Sequence, residues 1–230
     1  MLYRYFTKPV RLDYLHPWLK EAGVKILDIG CGNHSPTLTK SFYPQCRYYG
    51  LDISRTYSLD ENDFRNMEEF FEVDLSNSVG LDRLPDEFFD CVIASHVIEH
   101  LENSENILVG LLRKMKAGGI MYVESPSPRS LALPYMRGFG LSGTLNFYDD
   151  PSHVKIYERS AIEWLLQENH CTIVNSGIRR SWKRILFFPL YFLGSLIVYR
   201  SIIGGIFWDL TGFAYFVIAK KDSADHMFNK

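Results

Sequence analysis

The chain has 230 residues, of which 47% are hydrophobic and 23% charged, and these proportions exclude a disordered or fibrous protein. The length suits one α/β domain, so residues 1–230 are expected to form a single domain. The formal charge of −2 gives no overall attraction to phosphate backbones and disfavours a nucleic-acid partner. Four widely spaced cysteines without a CxxC pair disfavour a zinc ribbon or disulfide scaffold and favour a reducing cytoplasm.

Residues 1–23 form an extension before the first predicted strand. Arg4, Lys8, Arg11 and Asp13 interrupt its apolar residues. It therefore lacks the continuous apolar core of a secretory signal. We expect no export and a cytoplasmic location.

Short apolar runs alternate with helical patterns in the first half of the chain. The first run, VKILDIG at 24–30, stops at the tight turn GCG and precedes a helical stretch. Further runs, each ending near a polar or acidic residue, cover 47–53, 70–75, 89–95 and 119–124. Apolar residues at helical spacing predict a helix over 97–115. This alternation predicts βαβ units and a mostly parallel sheet.

The composition changes after residue 125. Residues 126–157 are rich in Gly, Pro and aromatic side chains, and they predict a long substrate or lid loop because long loops in compact domains are usually functional. A helix is predicted over 158–168, and strands over 171–178 and 212–221. An apolar insertion with a basic edge, residues 179–211, separates these two strands.

Residues that can hold a nucleoside follow successive predicted strands, and parallel sheets bind ligands beyond those carboxyl ends. Gly30 and Gly32 lack a Cβ and let the main chain approach a ligand closely. Asp52 lies twenty residues after Gly32, a spacing at which a carboxylate can accept hydrogen bonds from ribose hydroxyls. Asp74 could read an adenine amino group, and Ser95 and His96 would line the same cleft.

Each of these residues also has a purely structural interpretation. Asp28 could brace the turn, Asp74 could cap a helix, and glycines alone mark turns. The third glycine of the dinucleotide fingerprint is absent, with His34 and Ser35 near its place, which disfavours an NAD-dependent oxidoreductase. The bulky His34 is expected to narrow the pocket or to alter the start of the following helix.

The series LDIGCG, YYGLDIS, FFEVDLS, FDCVIASHVIEHL and LLRKMKAGGIMYVESP resembles, in order and spacing, the class I S-adenosylmethionine-dependent methyltransferases over 24–126. The resemblance implies a Rossmann-like α/β fold: a doubly wound, mostly parallel seven-stranded sheet with an antiparallel last strand between two helical layers. It also implies that S-adenosylmethionine lies across 30–32, with Asp52 at its ribose, Asp74 at its adenine, and Ser95 and His96 near its methionine part. The predicted cofactor-binding residues are Asp28, Gly30, Cys31, Gly32, Asp52, Ile53, Asp74, Leu75, Ser95 and His96.

The sequence HVIEH at 96–100 also matches the H-x-x-E-H spacing of inverted zinc proteases. The motif follows a strand, as in the methyltransferases, and no further predicted helix carries a glutamate that would supply a third ligand. We therefore expect no metal site, and polar helix-start or cleft positions for Glu99 and His100.

The predicted catalytic base is His153. The stretch DDPSHV at 149–154 offers two carboxylates and an imidazole, and histidine titrates in a suitable range. It resembles a D-P-x-H-V pattern of methyltransferases associated with cell-surface polysaccharide and glycan synthesis. In the alternative interpretation, His153 caps or braces the loop.

The predicted reaction is O-methylation of a sugar, a glycan or a lipid-linked intermediate. A small lipophilic acceptor such as a quinone or polyketide is the nearest alternative. A noncatalytic scaffold that retains the cofactor pocket is the alternative from another class.

Three interpretations fit the apolar insertion. The basic run 179–184 precedes an apolar run over 185–199, which is shorter than the about 20 residues that span a bilayer. A longer span would place Arg200 inside the membrane. The insertion is therefore expected to cover the cleft, to form an oligomer interface, or to make peripheral membrane contact through 179–208.

Overall fold

A computed structural model describes residues 8–76, 78–136, 143–199 and 204–223 of the chain. Its sheet has seven strands in the order β3-β2-β1-β4-β5-β7-β6. Strands β1 to β5 pair in parallel, and β7 runs antiparallel to both β5 and β6. The predicted Rossmann-like α/β fold with an antiparallel last strand is confirmed. The strands are β1 (Lys25–Ile29), β2 (Arg47–Asp52), β3 (Glu69–Glu72), β4 (Phe89–Ser95), β5 (Met115–Pro126), β6 (Cys171–Ile178) and β7 (Ala214–Lys221).

The described helices lie before the first strand and between the strands. The α-helices of the described residues are α1 (Val10–Tyr14), α2 (His16–Leu19), α3 (Ser35–Phe42), α4 (Glu61–Arg65), α5 (Ser104–Lys114), α6 (Arg159–Glu168), α7 (Trp182–Leu186), α8 (Phe188–Tyr199) and α9 (Trp208–Thr211). Short 3₁₀ turns occupy Ser78–Arg83, Ile98–His100, Pro128–Ala132, Phe147–Asp149 and Gly204–Ile206. Among the described residues, no helix combines the length and the apolarity that crossing a bilayer requires.

Alternate residues of β1 enter two separate cores. Leu27 and Ile29 pack on one face with residues of α5 and α6, whereas Ile26 packs on the other with Leu12 and Leu19 from α1 and α2. Successive side chains of a strand point to opposite faces, so an uninterrupted apolar run indicates a sheet covered on both sides. The described part of the 1–23 extension thus belongs to one of the two covering layers.

The predicted helix over 97–115 is wrong in its first half. A 3₁₀ turn at Ile98–His100 is followed by extended backbone at Leu101, and α5 begins only at Ser104. The backbone carbonyl of Glu99 accepts hydrogen bonds from the amides of Val154 (2.8 Å) and Lys155 (3.2 Å). Because the Glu99 carbonyl accepts from this distant segment, it does not accept the hydrogen bond that would begin a helix here. A tertiary contact therefore overrides the apolar periodicity.

Other element boundaries follow the sequence more closely. The predicted strands over 89–95 and 171–178 coincide with β4 and β6. Strand β5 is longer than the predicted run 119–124, because Met115 pairs with Phe89 of β4 and Pro126 pairs with Ala214 of β7. Parts of the predicted loop and insertion, 137–142 and 200–203, lie outside the described residues.

Candidate active site

A cavity of about 640 Å³ opens at the carboxyl ends of β1, β2, β3 and β4. The residues following these strands form one wall, and residues 144–153 together with Trp208 and Phe213 form the other. Ligands of doubly wound sheets bind at this edge. The predicted base His153 lines the cavity together with eight predicted cofactor-binding residues: Gly30, Gly32, Asp52, Ile53, Asp74, Leu75, Ser95 and His96.

A Cβ at either glycine of the first turn would lie too close to neighbouring side chains. Gly30 has a φ of +68°, and a Cβ there would lie 2.7 Å from a methyl group of Val97. A Cβ at Gly32 would lie 3.0 Å from the Tyr57 ring and 3.4 Å from the Asp52 carboxylate. The turn therefore needs glycine for its backbone conformation at Gly30 and for its close packing at Gly32.

Asp52 is held at the cavity wall by the backbone around it. One carboxylate oxygen accepts a hydrogen bond from the amide of Gly32 (3.0 Å), and the other accepts from the amide of Ile53 (2.8 Å). Burial raises the pKa of Asp52, and these two hydrogen bonds oppose that rise. The carboxylate is thus fixed in orientation while its side chain still lines the cavity.

The Asp74 carboxylate takes part in a local turn and also lines the cavity. Its carboxylate accepts a hydrogen bond from the amide of Ser76 at 2.9 Å, and hydrogen bonding with Ser76 lowers the pKa of Asp74. The same side chain is exposed and lines the cavity. Bracing the turn and facing a ligand are therefore compatible, and adenine recognition by Asp74 stays a prediction.

Asp28 and Cys31 are not among the residues that line the described cavity. The buried Asp28 carboxylate accepts hydrogen bonds from the hydroxyls of Ser35 and Tyr48, and Arg11 lies 4.0 Å away. Ser35 occupies the place of the absent third glycine and uses its hydroxyl to tie α3 to β1. Asp28 thus braces the turn, which was its purely structural interpretation. Cys31 is fully buried, and burial raises the pKa of its thiol.

His34 turns away from the cavity. Its backbone is left-handed, with a φ of 56°, and its Nδ1 atom lies 2.7 Å from a carboxylate oxygen of Asp63. Hydrogen bonding and charge from Asp63 raise the pKa of His34. The expected narrowing of the pocket by His34 does not occur in the described structure, because this side chain packs toward α4.

The imidazole of His96 is clamped between two buried carboxylates. Nδ1 lies 3.1 Å from Glu99 and Nε2 lies 3.0 Å from Glu124. Burial by itself lowers the pKa of His96, but hydrogen bonds to Glu124 and Glu99 outweigh it and raise the pKa to about 9. Below that pH both ring nitrogens donate to these carboxylates, so His96 presents its ring to the cavity and has no free nitrogen to act as a base.

Arg179 and Asp209 connect the insertion to this clamp. The Arg179 guanidinium lies 3.2 Å from Glu124 and 2.8 Å from Asp209, and all three side chains are buried. Burial raises the pKa of Glu124, but Arg179 and His96 outweigh it and lower the pKa to about 2. The two ends of the 179–211 insertion are thereby fixed against the end of β5 by a paired charge network.

Trp208 closes the cavity from the side of the insertion. Its ring lies 4.9 Å from the His96 ring and 4.5 Å from the Phe213 ring, measured between centroids. Its indole N–H donates a hydrogen bond to the carbonyl of Thr144 at 2.6 Å. Trp208 thus joins the insertion, the loop and the strand ends.

Hydrogen bonding defines the orientation of His153. Its Nδ1 atom lies 2.6 Å from the carbonyl oxygen of Phe147. A carbonyl can only accept, so Nδ1 carries the hydrogen and Nε2 is the basic nitrogen of the neutral ring. The ring packs against Phe147 at 4.6 Å and against His100 at 4.7 Å between centroids. The arrangement suits a general base, and it also braces the loop.

The two carboxylates preceding His153 shape the loop. The buried Asp149 carboxylate accepts hydrogen bonds from the amides of Met136, Leu145 and Asn146 at distances between 2.8 and 3.2 Å. Asp150 accepts from the amide of Ser152 at 2.9 Å. These contacts fix the backbone on which His153 is carried, a role that the sequence pattern did not reveal.

Glu99, His100 and His153 come together from separate segments. Each offers one metal-ligand atom, and these atoms lie within 4.8 Å of one another. The group does not contain His96, one of the two histidines of the H-x-x-E-H pattern, and its third member comes from the loop. However, the Glu99 carboxylate already accepts hydrogen bonds from His96 and from Ser125, each at 3.1 Å. The absence of a metal from the site stays a prediction.

Several cavity residues escaped the sequence analysis, namely Asn33, Tyr57, Thr144, Trp208 and Phe213. Tyr57 lies in an irregular segment, Trp208 begins the four-residue helix α9, and Phe213 follows Gly212, so no periodicity marks these side chains as facing a ligand. The only available signal was composition, because the loop and the insertion are unusually rich in aromatic residues and glycine.

Comparison with known proteins agrees with this geometry. A family model described as a methyltransferase domain matches residues 3–176. Mycinamicin VI 2''-O-methyltransferase of Micromonospora griseorubida is 28% identical over 160 residues, covering 60% of this chain and 36% of the relative. The ubiquinone biosynthesis O-methyltransferase of Rickettsia bellii is 26% identical over 128 residues, covering 51% of this chain and 50% of the relative. The chain therefore spans between a third and a half of the length of these curated relatives.

Solved structures share the fold over nearly the whole chain. A SAM-dependent methyltransferase from Archaeoglobus fulgidus is 24% identical with a TM-score of 0.54, covering 95% of this chain and 94% of the other. A second, from Mesorhizobium loti, is 15% identical with a TM-score of 0.62, covering 93% and 98%. At these identities the likeness concerns the fold alone. Because the family model covers most of the sequence, the chain belongs to the methyltransferase-domain family and has the fold of the class I S-adenosylmethionine-dependent methyltransferases.

Proposed function

We propose that the protein transfers the methyl group of S-adenosylmethionine to an acceptor hydroxyl. The observation that carries this proposal is a single cavity with two kinds of wall. One wall holds the glycine turn and the Asp52 carboxylate, and the other holds His153. A nucleoside-binding wall facing a general base is what transfer to a hydroxyl requires.

The residues of the strand ends fit S-adenosylmethionine. Gly30 and Gly32 line the cavity at a turn that has no room for a Cβ, and Asp52 is oriented by two amides. Asp52 would hold the ribose hydroxyls, Asp74 the adenine amino group, and Ser95 and His96 would flank the methionine part. When bound, the cofactor supplies an electrophilic methyl group on a sulfonium.

His153 is the proposed base. Its Nε2 atom takes the proton of the acceptor hydroxyl while Nδ1–H remains bonded to the carbonyl of Phe147. The deprotonated oxygen would then accept the methyl group that the bound cofactor supplies, with the carbon–sulfur bonding pair left on sulfur. The loop contacts of Asp149 and Asp150 keep the imidazole in place during this step.

The proposed acceptor is a sugar, a glycan or a lipid-linked intermediate. Both named curated relatives are O-methyltransferases, which supports a hydroxyl acceptor, and the D-P-x-H-V resemblance supports a glycan. A small lipophilic acceptor such as a quinone or polyketide is the second candidate, because Leu101, Trp208 and Phe213 give the cavity apolar lining.

A cofactor-binding scaffold is the competing class of function. The [4+2]-cyclase SpnF shares the fold with a TM-score of 0.60 at 18% identity, so the fold alone does not fix the reaction. Calorimetry with S-adenosylhomocysteine and with NAD tests the pocket first: we expect binding of the former only. Methyl-labelled donor incubated with glycan, lipid-linked and quinone fractions then tests turnover. Tight cofactor binding without label transfer to any fraction favours the scaffold, and binding of NAD alone contradicts the proposal.

A further inference from the structure

The helices α7 and α8 present an apolar surface that the rest of the described chain leaves uncovered. None of the α8 residues whose burial is described is buried. Five large side chains are more than half exposed, and we call them the docking surface: Trp182 (73%), Leu186 (73%), Leu190 (62%), Leu193 (54%) and Ile197 (78%). Within α8, spacings of three and four residues place Leu190, Leu193 and Ile197 on one face.

The dimensions of α8 indicate an element that lies along a bilayer surface. Twelve residues extend about 18 Å as an α-helix, whereas the hydrocarbon core of a bilayer is about 30 Å thick. A short apolar helix with cations at its edge is typical of elements that lie in the interface between headgroups and acyl chains.

Charge complementarity favours a bilayer over a second copy of the chain. The sequence over 179–208 contains arginine and lysine but no aspartate or glutamate, and Arg180, Lys183 and Arg184 are partly exposed beside Trp182. Lys183 lies 3.0 Å from Asp13, and Arg184 lies 3.9 Å from Asp209. These two pairs reduce the positive charge of the basic edge but do not make it negative. A symmetric contact would bring two such edges together.

The size of the docking surface also disfavours a stable dimer. A standard protein interface buries about 800 Å² on each partner, from 20 or more residues, whereas the docking surface has five large side chains. A coiled coil needs about three heptads, and α8 has fewer than two. An exposed tryptophan next to cations is, in contrast, characteristic of membrane interfaces.

We propose that the docking surface binds this protein to a bilayer containing anionic lipid, with the five apolar side chains among the acyl chains and the basic edge at the headgroups. The docking surface is also joined to the cavity. The Phe188 ring packs 5.5 Å from the ring of Phe207, the residue before the cavity-lining Trp208. If the proposed function holds, an acceptor anchored in that bilayer reaches the cavity from the docked side.

Vesicle flotation tests this with the full chain. Wild-type protein is mixed with phosphatidylcholine vesicles and with vesicles that also contain phosphatidylglycerol, at low and at high salt. We expect binding to the anionic vesicles, weakened by salt because screening acts on the basic edge. The double variant Leu193→Glu/Ile197→Glu should bind about 100-fold more weakly, since each buried apolar side chain is worth about tenfold in affinity.

The control is Trp164→Glu, which introduces one glutamate, against two in the double variant, at an exposed aromatic residue (62%) on α6, outside the docking surface. It should bind vesicles like the wild type. The proposal is overturned if the wild type binds neither vesicle, or if the double variant binds as well as the control. A concentration-dependent dimer that the double variant loses, without vesicle binding, would instead make this surface a self-association interface and also overturn it.

A calorimetric titration with S-adenosylhomocysteine separates this inference from the proposed function. The double variant should retain wild-type affinity, which also shows that it folds. If the wild type fails to bind the nucleoside but still floats with anionic vesicles, the proposed function fails and the docking inference stands.

Discussion

The two walls of the cavity are built by different means. The strand-end wall (Gly30, Gly32, Asp52, Asp74 and Ser95) follows directly from consecutive βα units, and local backbone amides orient its key carboxylate. The loop wall (Thr144, Asp150, Ser152, His153 and Trp208) is assembled from two distant segments by side-chain hydrogen bonds. Under the proposed function the strand-end wall binds the cofactor and the loop wall carries the acceptor chemistry, so changes in one wall should leave the function of the other intact.

The largest effect is expected from His153→Gln in the loop wall. Loss of a general base lowers the rate of proton removal, so kcat should fall by about 10²–10⁴ while affinity for S-adenosylhomocysteine stays unchanged. Label transfer and calorimetry measure the two quantities. His100→Gln, a neighbouring cavity histidine, is the control and should lose less activity. An unchanged kcat in His153→Gln would leave His153 with a bracing role only.

A loss of cofactor affinity is expected from Asp52→Ala in the strand-end wall. Two hydrogen bonds that ribose hydroxyls donate to a carboxylate are worth about 1.5–3 kcal/mol each, so affinity for S-adenosylhomocysteine should fall by about 100-fold or more. Calorimetry measures this, with Glu61→Ala on the exposed face of α4 as the control. Wild-type affinity in the Asp52 variant would contradict nucleoside binding at this wall.

His96 lies where the two walls meet, and its charge should make stability depend on pH. Its pKa is raised from 6.5 to about 9, so its contribution is fully present below about pH 6.5 and is lost as the pH rises through about 9. The contribution is on the order of 3 kcal/mol. Urea unfolding of wild type and His96→Gln should therefore differ most near pH 6 and least near pH 10. Parallel pH profiles of the two proteins would contradict this.

The smallest effect is expected from metal removal. Both oxygens of the Glu99 carboxylate already accept hydrogen bonds from the protein, so EDTA should leave the rate of label transfer unchanged. The measurement compares dialysed enzyme with and without chelator, and then with added Zn²⁺. A loss of activity that Zn²⁺ restores would make Glu99, His100 and His153 a metal site bridging the two walls.

The strand-end wall was predictable because its signals are local. An apolar run that ends in GCG, followed by an aspartate twenty residues later, places its residues at one sheet edge once the strands are parallel. Asp52, Asp74, Ser95 and His96 line the cavity as that pattern indicated. The same pattern did not distinguish residues that face a ligand from residues that support the turn. Asp28 and Cys31 are buried and are not among the residues that line the cavity.

The loop wall depended on contacts that no local pattern records. The helix predicted over 97–115 begins only at Ser104, because the Glu99 carbonyl binds the backbone of the loop. Asp149 is a buried acceptor for three amides, and Arg179, read as part of a basic edge, is a buried partner of Glu124 and Asp209.

The sequence by itself therefore determined the α/β class, the strand order along the chain and the strand-end wall of the cavity, because short apolar runs and glycine turns act within a few residues. Only the tertiary structure decided which carboxylates are buried, which tautomer His153 adopts and where the insertion is attached. Those features depend on desolvation and on pairing between side chains and groups outside their own element, from His153 with the Phe147 carbonyl to Arg179 with Glu124, and the free energies of such pairs exist only once the chain has folded.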